Sequence, residues 1–392
     1  MPGLFRLNGA LTNTEKNSKI AQKSKRFLEY IPMNRDQVYN FAPGPSTMPE
    51  SALKTAAAEM LNFRGSGMSV MEISHRSALF QEVFDSACLK LRRLMNVPDT
   101  HEILLLQGGA TTQFAAIPMN LLEGGTADYA VTGNFSNKAA EEAKKYGTVH
   151  IAATTKPTGH DRIPTQSELD LSPDAKYFYY CANNTIYGTE WQYVPETAST
   201  LVCDMSSDIL SREVDVSKFG LIYAGAQKNM APAGLTVVIV DKRLAGRELP
   251  ITPKILSYKT MIETGSMLNT PPCWCIYMLD LTLDWVIKEG GVKAMDERKR
   301  ERAGMLYDFL DNSKVLHPHA LPGSRSFMNV TFRTDSPELD AAFVKGAAER
   351  GLLNLKGHKI AGGMRASVYN AMPVEGAKAL VEYMKEFEVR NA

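Results

Sequence analysis

No apolar run in this 392-residue chain approaches the roughly 20 residues that carry a helix across a bilayer; Leu235–Val240 is among the longest. A helical membrane span is therefore not expected. Charge of one sign is also missing: 44 Lys and Arg face 43 Asp and Glu, for a formal net charge of +1. That leaves no overall basic excess to draw nucleic acid or an anionic membrane. Cysteine is scarce. The five residues Cys88, Cys181, Cys203, Cys273 and Cys275 are odd in number and scattered, which argues against a disulfide framework and fits reduced thiols in a cytoplasmic enzyme. Cys273 and Cys275 are the only close pair, and no second Cys or His group follows at ligand spacing, so no metal site is expected. Internal repeats and low-complexity tracts are missing too. What remains, 44% apolar and 22% charged residues, is the composition of a soluble globular enzyme of two or so domains.

The first 35 residues stand apart, with seven Lys or Arg against two Glu and few apolar positions in periodic order. A basic, acid-poor start has the look of an organelle transit peptide, but Arg and Ser are sparse and Glu15 and Glu29 interrupt it. A disordered N-terminal extension is the expectation. Beyond it, Val38–Pro45 predicts a short strand and a rigid turn, and helical and strand patterns then alternate, which predicts an α/β fold with a mostly parallel sheet. Phe80, Val83, Phe84, Ala87 and Leu91 recur at helical spacing; Ala303, Leu306, Tyr307 and Leu310 mark a second helix, and Pro373 opens a last one. Phe327–Phe332 predicts a strand. The Gly-Gly break at the end of Asp284–Gly291 is a candidate domain boundary.

Three short apolar runs bounded by Gly and Pro, Thr200–Cys203, Phe219–Ala224 and Leu235–Val240, predict successive buried strands. Asp204 follows the first, and Lys228, in Gly225-Ala226-Gln227-Lys228-Asn229, follows the second, twenty-four residues after Asp204. A Lys and an Asp at the ends of neighbouring strands can face one pocket. Pyridoxal phosphate chemistry needs that layout, with an amine to condense with the cofactor aldehyde and a carboxylate to hold the pyridine nitrogen protonated. Upstream, the strand Ile103–Leu106 runs into Gln107-Gly108-Gly109-Ala110-Thr111-Thr112 and an apolar helix. Small residues at a helix N-terminus suit a phosphate group, although Gly-Gly before a helix is more often only a tight turn and the segment matches neither the dinucleotide fingerprint nor the P-loop spacing.

Eight segments, Asn40–Pro45, Gly65–Arg76, Gln107–Phe114, Asn183–Thr189, Asp204–Ser207, Ala226–Asn229, Asn269–Pro272 and Gly362–Pro373, together resemble the phosphoserine aminotransferase family, in unbroken order over about residues 38 to 388. The resemblance implies a fold type I enzyme that uses pyridoxal 5'-phosphate: a large cofactor-binding domain over 49–287, and a small α+β domain formed by 36–48 with 288–392. It implies that Lys228 carries the cofactor and shuttles the proton at Cα, and that Asp204 pairs with the pyridine nitrogen. Thr185 would hydrogen-bond the phenolic oxygen. Ala110, Thr111 and Gln227 would surround the phosphate, with Asn269 and Thr270 reaching over from the partner subunit of a homodimer. Phe135 stands where the family commonly has a tryptophan stacked on the ring; stacking survives with a smaller face.

By the same resemblance Arg365 binds the substrate α-carboxylate through its guanidinium fork. His75 and Arg76 of the partner subunit, with His358 and Lys359, form the phosphate pocket. The family commonly has Arg at the position of Lys359; lysine keeps the charge and loses the fork. The implied reaction moves an amino group between glutamate and 3-phosphohydroxypyruvate to give O-phosphoserine in serine biosynthesis, and leaves open whether 4-phosphohydroxythreonine is used as well. Small molecules are thus the expected partners besides the second subunit, and neither nucleic acid nor membrane is. Two other readings stay open: a related aminotransferase for unphosphorylated 2-oxo acids, and a protein that kept the fold without turnover.

Overall fold

The computed structural model describes residues 33–391. The chain divides into a short unit ending at Val38, whose described part is a single 3-10 turn at Arg35–Gln37, and a compact unit from Tyr39 onward. Most of the N-terminal extension anticipated over residues 1–35 lies outside the described residues.

A seven-stranded sheet organises the second unit. Its spatial order is His101–Leu106, Thr236–Asp241, Leu221–Gly225, Thr200–Asp204, Tyr177–Cys181, Thr126–Val131, Thr148–Thr154. Thr236–Asp241 runs antiparallel to both of its neighbours, and the remaining pairings are parallel. This is the mostly parallel α/β sheet the sequence predicts. Both of its faces are buried, which is why its strands read as continuous apolar runs rather than alternating ones. Period-two geometry still divides them. Ile103, Leu105, Phe178, Tyr180, Ile222, Val237 and Ile239 enter one core; Leu104, Leu106, Tyr177, Tyr179, Tyr223, Val238 and Val240 enter the core on the other face.

Helices Ala78–Leu94 and Cys273–Lys288 cover the first face. The Ser77 hydroxyl caps Ala78–Leu94 by accepting from the Phe80 N–H, and Phe80, Val83, Phe84, Ala87 and Leu91 turn inward at the anticipated spacing. Cys273–Lys288 stops at Gly290, whose φ of +103° no β-carbon favours, and Gly291–Leu310 begins there.

A third core lies among Gly291–Leu310, Pro337–Ala348, Val374–Asn391 and a three-stranded antiparallel sheet, His317–Pro318, Asn329–Arg333, Met364–Ser367. Phe41 belongs to this core, because Tyr39–Asn40 pairs in parallel with Leu352–Leu353. The strand anticipated at Phe327 starts two residues later, at Asn329. Glu190 takes the Phe327 N–H and the Ser326 hydroxyl takes those of Met328 and Asn329, so these donors never enter the sheet. Phe219 also falls outside its expected strand, since its N–H closes the turn Val216–Lys218. Among the described residues no helix is long and apolar enough to cross a membrane, and all five cysteines are unpaired.

Candidate active site

Thr200–Asp204 and Leu221–Gly225 are parallel neighbours with Asp204 opposite Tyr223. Their carboxyl ends therefore open on one edge of the sheet, where open α/β sheets bind ligands. Asp204 ends the first strand, and Gln227 and Lys228 follow the second within three residues. Tyr177–Cys181 leads to Asn183 and Thr185, Thr126–Val131 to Phe135, and His101–Leu106 to helix Gly109–Leu121 on the same edge. Between these ends lies a cleft of about 290 Å³ that brings together Ala110, Thr111, Phe135, Thr185, Asp204, Gln227, Lys228, His358 and Arg365.

The other expected residues lie elsewhere. Asn269 lines an adjacent cavity of about 280 Å³ beside Gln107 and Gly108, and the Thr270 carbonyl accepts from Gln107 Nε2 at 2.9 Å. His75 and Arg76 sit in the turn before helix Ala78–Leu94, away from the cleft lining, with Arg76 exposed. Lys359 follows His358 and points to solvent.

Asp204 is 4% exposed. Its Oδ1 accepts the Ser206 N–H at 2.9 Å and its Oδ2 the Tyr223 hydroxyl at 3.0 Å. Enclosure by protein holds the Lys228 amine below the ordinary lysine range; Asp204 opposes that effect, and Arg365 adds to it. Lys228 Nζ stands 5.7 Å from the centre of the Phe135 ring. Gly44 closes over the lysine stem with φ +130°, and a β-carbon there would lie 3.3 Å from Lys228 Cγ.

Arg365, on strand Met364–Ser367, reaches the cleft from the third core and donates Nη1 to the Thr185 carbonyl at 2.9 Å. Its buried Nε has no partner within the protein. A ligand oxygen would satisfy that donor, because buried guanidinium hydrogens seldom stay unpaired. Desolvation, reinforced by Arg365, Lys359 and Lys138, holds the His358 imidazole below its usual range. Lys138, which the sequence reading did not single out, lies 5.8 Å from the Phe135 ring, one helical turn along Asn134–Ala143. Ser206, Ser207, Asn183 and Cys181 were missed as well, although the two serines stand two and three residues after Asp204.

These residues suit a flat ring with an aldehyde, a basic nitrogen and a phosphate. The Phe135 ring lies beside the reactive amine, the doubly hydrogen-bonded carboxylate sits deep in the cleft, and Ala110 and Thr111 begin helix Gly109–Leu121, whose first N–H groups are free for an anion.

A Lys and an Asp at adjacent carboxyl ends of a mostly parallel sheet, with an arginine facing them, define a pyridoxal-phosphate aminotransferase of fold type I. The chain belongs to the class-V aminotransferase family, whose profile it matches over residues 38–380. It is 49% identical over 363 residues to the phosphoserine aminotransferase of Aromatoleum aromaticum, covering 91% of this chain and 99% of that protein. A solved phosphoserine aminotransferase from Bacillus circulans subsp. alkalophilus superposes with a TM-score of 0.89 at 42% identity, covering 91% of this chain and 99% of that one. The pyridoxal-phosphate-bound phosphoserine aminotransferase of Trichomonas vaginalis superposes with a TM-score of 0.86 at 41% identity, over 89% and 99% of the respective chains.

Proposed function

We propose that this enzyme is a phosphoserine aminotransferase: it moves an amino group between L-glutamate and 3-phosphohydroxypyruvate, yielding O-phospho-L-serine and 2-oxoglutarate for serine biosynthesis. The observation that carries this reading is a cleft holding a half-buried amine and a buried carboxylate, with a guanidinium and a cationic rim at its mouth. When bound, pyridoxal phosphate supplies an aldehyde that takes up the amino group and a ring that withdraws electrons from the substrate Cα.

The protein supplies the rest. Lys228 would hold the cofactor and, as the free amine, move the proton at the substrate Cα; its depressed proton affinity leaves more of it as the free base at working pH. Asp204 would pair with the pyridine nitrogen, Thr185 would serve the phenolic oxygen, and Phe135 would offer the ring an aromatic neighbour. Ala110, Thr111 and Gln227 hold the cofactor phosphate. The free Nε of Arg365 takes the substrate α-carboxylate while Nη1 stays anchored on Thr185. His358 and Lys359 meet the distal anion, a phosphate in one substrate and a carboxylate in the other.

The location of His75, Arg76, Asn269 and Thr270 outside the cleft lining supports a homodimer in which the partner subunit brings them to each site. The separate third core supports a small domain of 36–48 with 288–392 beside a large one of 49–287. 4-Phosphohydroxythreonine, which has the same two anionic ends, falls within the proposed substrate range, and the cytoplasm is the proposed compartment.

Mixing the cofactor-loaded protein with O-phosphoserine and, separately, with serine tests the reading in a single turnover. Rapid change in the cofactor absorbance with phosphoserine alone is the expected result. Equal change with serine would move the enzyme to the unphosphorylated 2-oxo acids, and no change with either would leave a binding fold without turnover.

A further inference from the structure

Four tyrosines are buried together beside the strand that carries Asp204: Tyr129, Tyr177, Tyr179 and Tyr223. They form two hydroxyl pairs, Tyr129 with Tyr177 at 2.7 Å and Tyr179 with Tyr223 at 2.8 Å. Only the second pair continues toward the cleft, because the Tyr223 hydroxyl lies 3.0 Å from Asp204 Oδ2. Chemistry fixes the direction of this chain. An ionised carboxylate only accepts, so Tyr223 donates to Asp204; with its single proton committed, Tyr223 accepts from Tyr179. The relay thus runs Tyr179 to Tyr223 to Asp204. Burial pushes both phenols well above the usual tyrosine range, so both keep their protons.

The other carboxylate oxygen accepts the Ser206 N–H. The backbone alone therefore supplies a single donor to a carboxylate that is almost entirely removed from water. A buried carboxylate with few donors is held in place by each of them, so the Tyr223 hydroxyl sets the orientation of Oδ2. An Asp204 carboxylate turned away from the ring would no longer favour a proton on the pyridine nitrogen, and the ring would withdraw electrons less well.

We propose that Tyr223, backed by Tyr179, is a positioning residue that aims the Asp204 carboxylate at the cofactor's pyridine nitrogen. The inference rests on the reading of Asp204 as the partner of that nitrogen. The neighbouring pair provides an internal control, since Tyr177 loses the same kind of buried hydroxyl contact without touching Asp204.

The test uses the full chain in four variants, Tyr223→Phe, Tyr179→Phe, Tyr177→Phe and Asp204→Asn. Three quantities are measured: the dissociation constant of pyridoxal phosphate by equilibrium dialysis, the pH midpoint of the absorbance of the bound cofactor, and the melting temperature without cofactor. A hydrogen bond to a charged group predicts about tenfold weaker cofactor binding in Tyr223→Phe, together with a displaced midpoint. Tyr179→Phe should move both in the same direction by less. Tyr177→Phe should melt lower and keep the affinity and midpoint of the wild type. Wild-type affinity and midpoint in Tyr223→Phe, or equal changes in Tyr177→Phe, would overturn the inference. Asp204→Asn separates the two ideas: if it binds cofactor as well as the wild type, the reading of Asp204 itself fails. If it binds weakly while Tyr223→Phe does not, only the role of Tyr223 fails.

Discussion

Lys228 concentrates the pH dependence of the cofactor-free protein. Its proton affinity in the fold lies below that of an ordinary lysine, chiefly through desolvation. The native state therefore binds fewer protons than the unfolded chain between the lowered value and the ordinary value of about 10.4. Stability rises with pH through that window, and at neutral pH the enclosed amine is a net cost. Cofactor-free Lys228→Met should melt higher than the cofactor-free wild type at pH 7, with the gap shrinking as the pH approaches 10. Melting curves at a series of pH values check this, and a gap independent of pH would contradict the enclosure argument. In the presence of cofactor the same variant should lose turnover by about a thousandfold or more, since both the tether and the proton carrier are gone. Lys228 and Asp204 were legible as a pair because each follows an apolar run. Gly44 and Tyr223 acquired no role from the sequence. Nothing local reports that Gly44 will lie over the Lys228 stem, 184 residues away in the chain, or that Tyr223 will stand opposite Asp204.

Among the elements, the turn into helix Gly109–Leu121 is the most constrained. Gly108 adopts φ +95°, and a β-carbon there would come within 2.0 Å of Thr112 Oγ1, whose hydroxyl donates to the Gly108 carbonyl at 2.9 Å. Gly108→Ala should cost about 2 kcal/mol from backbone strain and weaken cofactor binding by loosening the first turn. Adding Thr112→Ala removes the contact with Oγ1 but leaves the one with the Thr112 β-carbon, 2.6 Å away, as well as the backbone strain, so the double variant should regain only part of the loss. A double-mutant cycle by chemical denaturation measures that coupling, and strict additivity would show that the two residues do not meet. Apolar runs bounded by Gly and Pro, and helical spacing, found these elements with edges displaced by one or two residues, since each edge is set by which donors a neighbouring group takes. The antiparallel run of Thr236–Asp241 was not legible, because strand direction depends on where the chain crosses over rather than on the strand's own residues.

At the scale of the whole molecule, the separation of His75 and Arg76 from the cleft lining has a consequence in solution. If each site borrows them from the partner, Lys228→Ala and Arg76→Ala chains are both inactive alone, yet a mixed dimer has one site with both residues intact. Unfolding the two together and refolding them should recover about a quarter of the wild-type activity, given random pairing of subunits and one intact site per mixed dimer. A mixture that stays inactive would place both residues in the service of one chain. The same experiment with chains carrying both substitutions is the blank.

The sequence by itself determined the chemistry available and the class of fold. It carries the reactive amine and its carboxylate after apolar runs, the glycine pair before a helix, the alternating pattern that demands a covered sheet, and the ordered segments shared with the aminotransferases. Tertiary structure decided which of these meet. It brought Arg365 from the third core onto the Thr185 carbonyl, left its Nε free, closed Gly44 over Lys228, and aimed Tyr223 at Asp204. Residue type and spacing act over a few positions along the chain. Contacts between distant segments follow instead from how two buried sheet faces and a third core are packed at once.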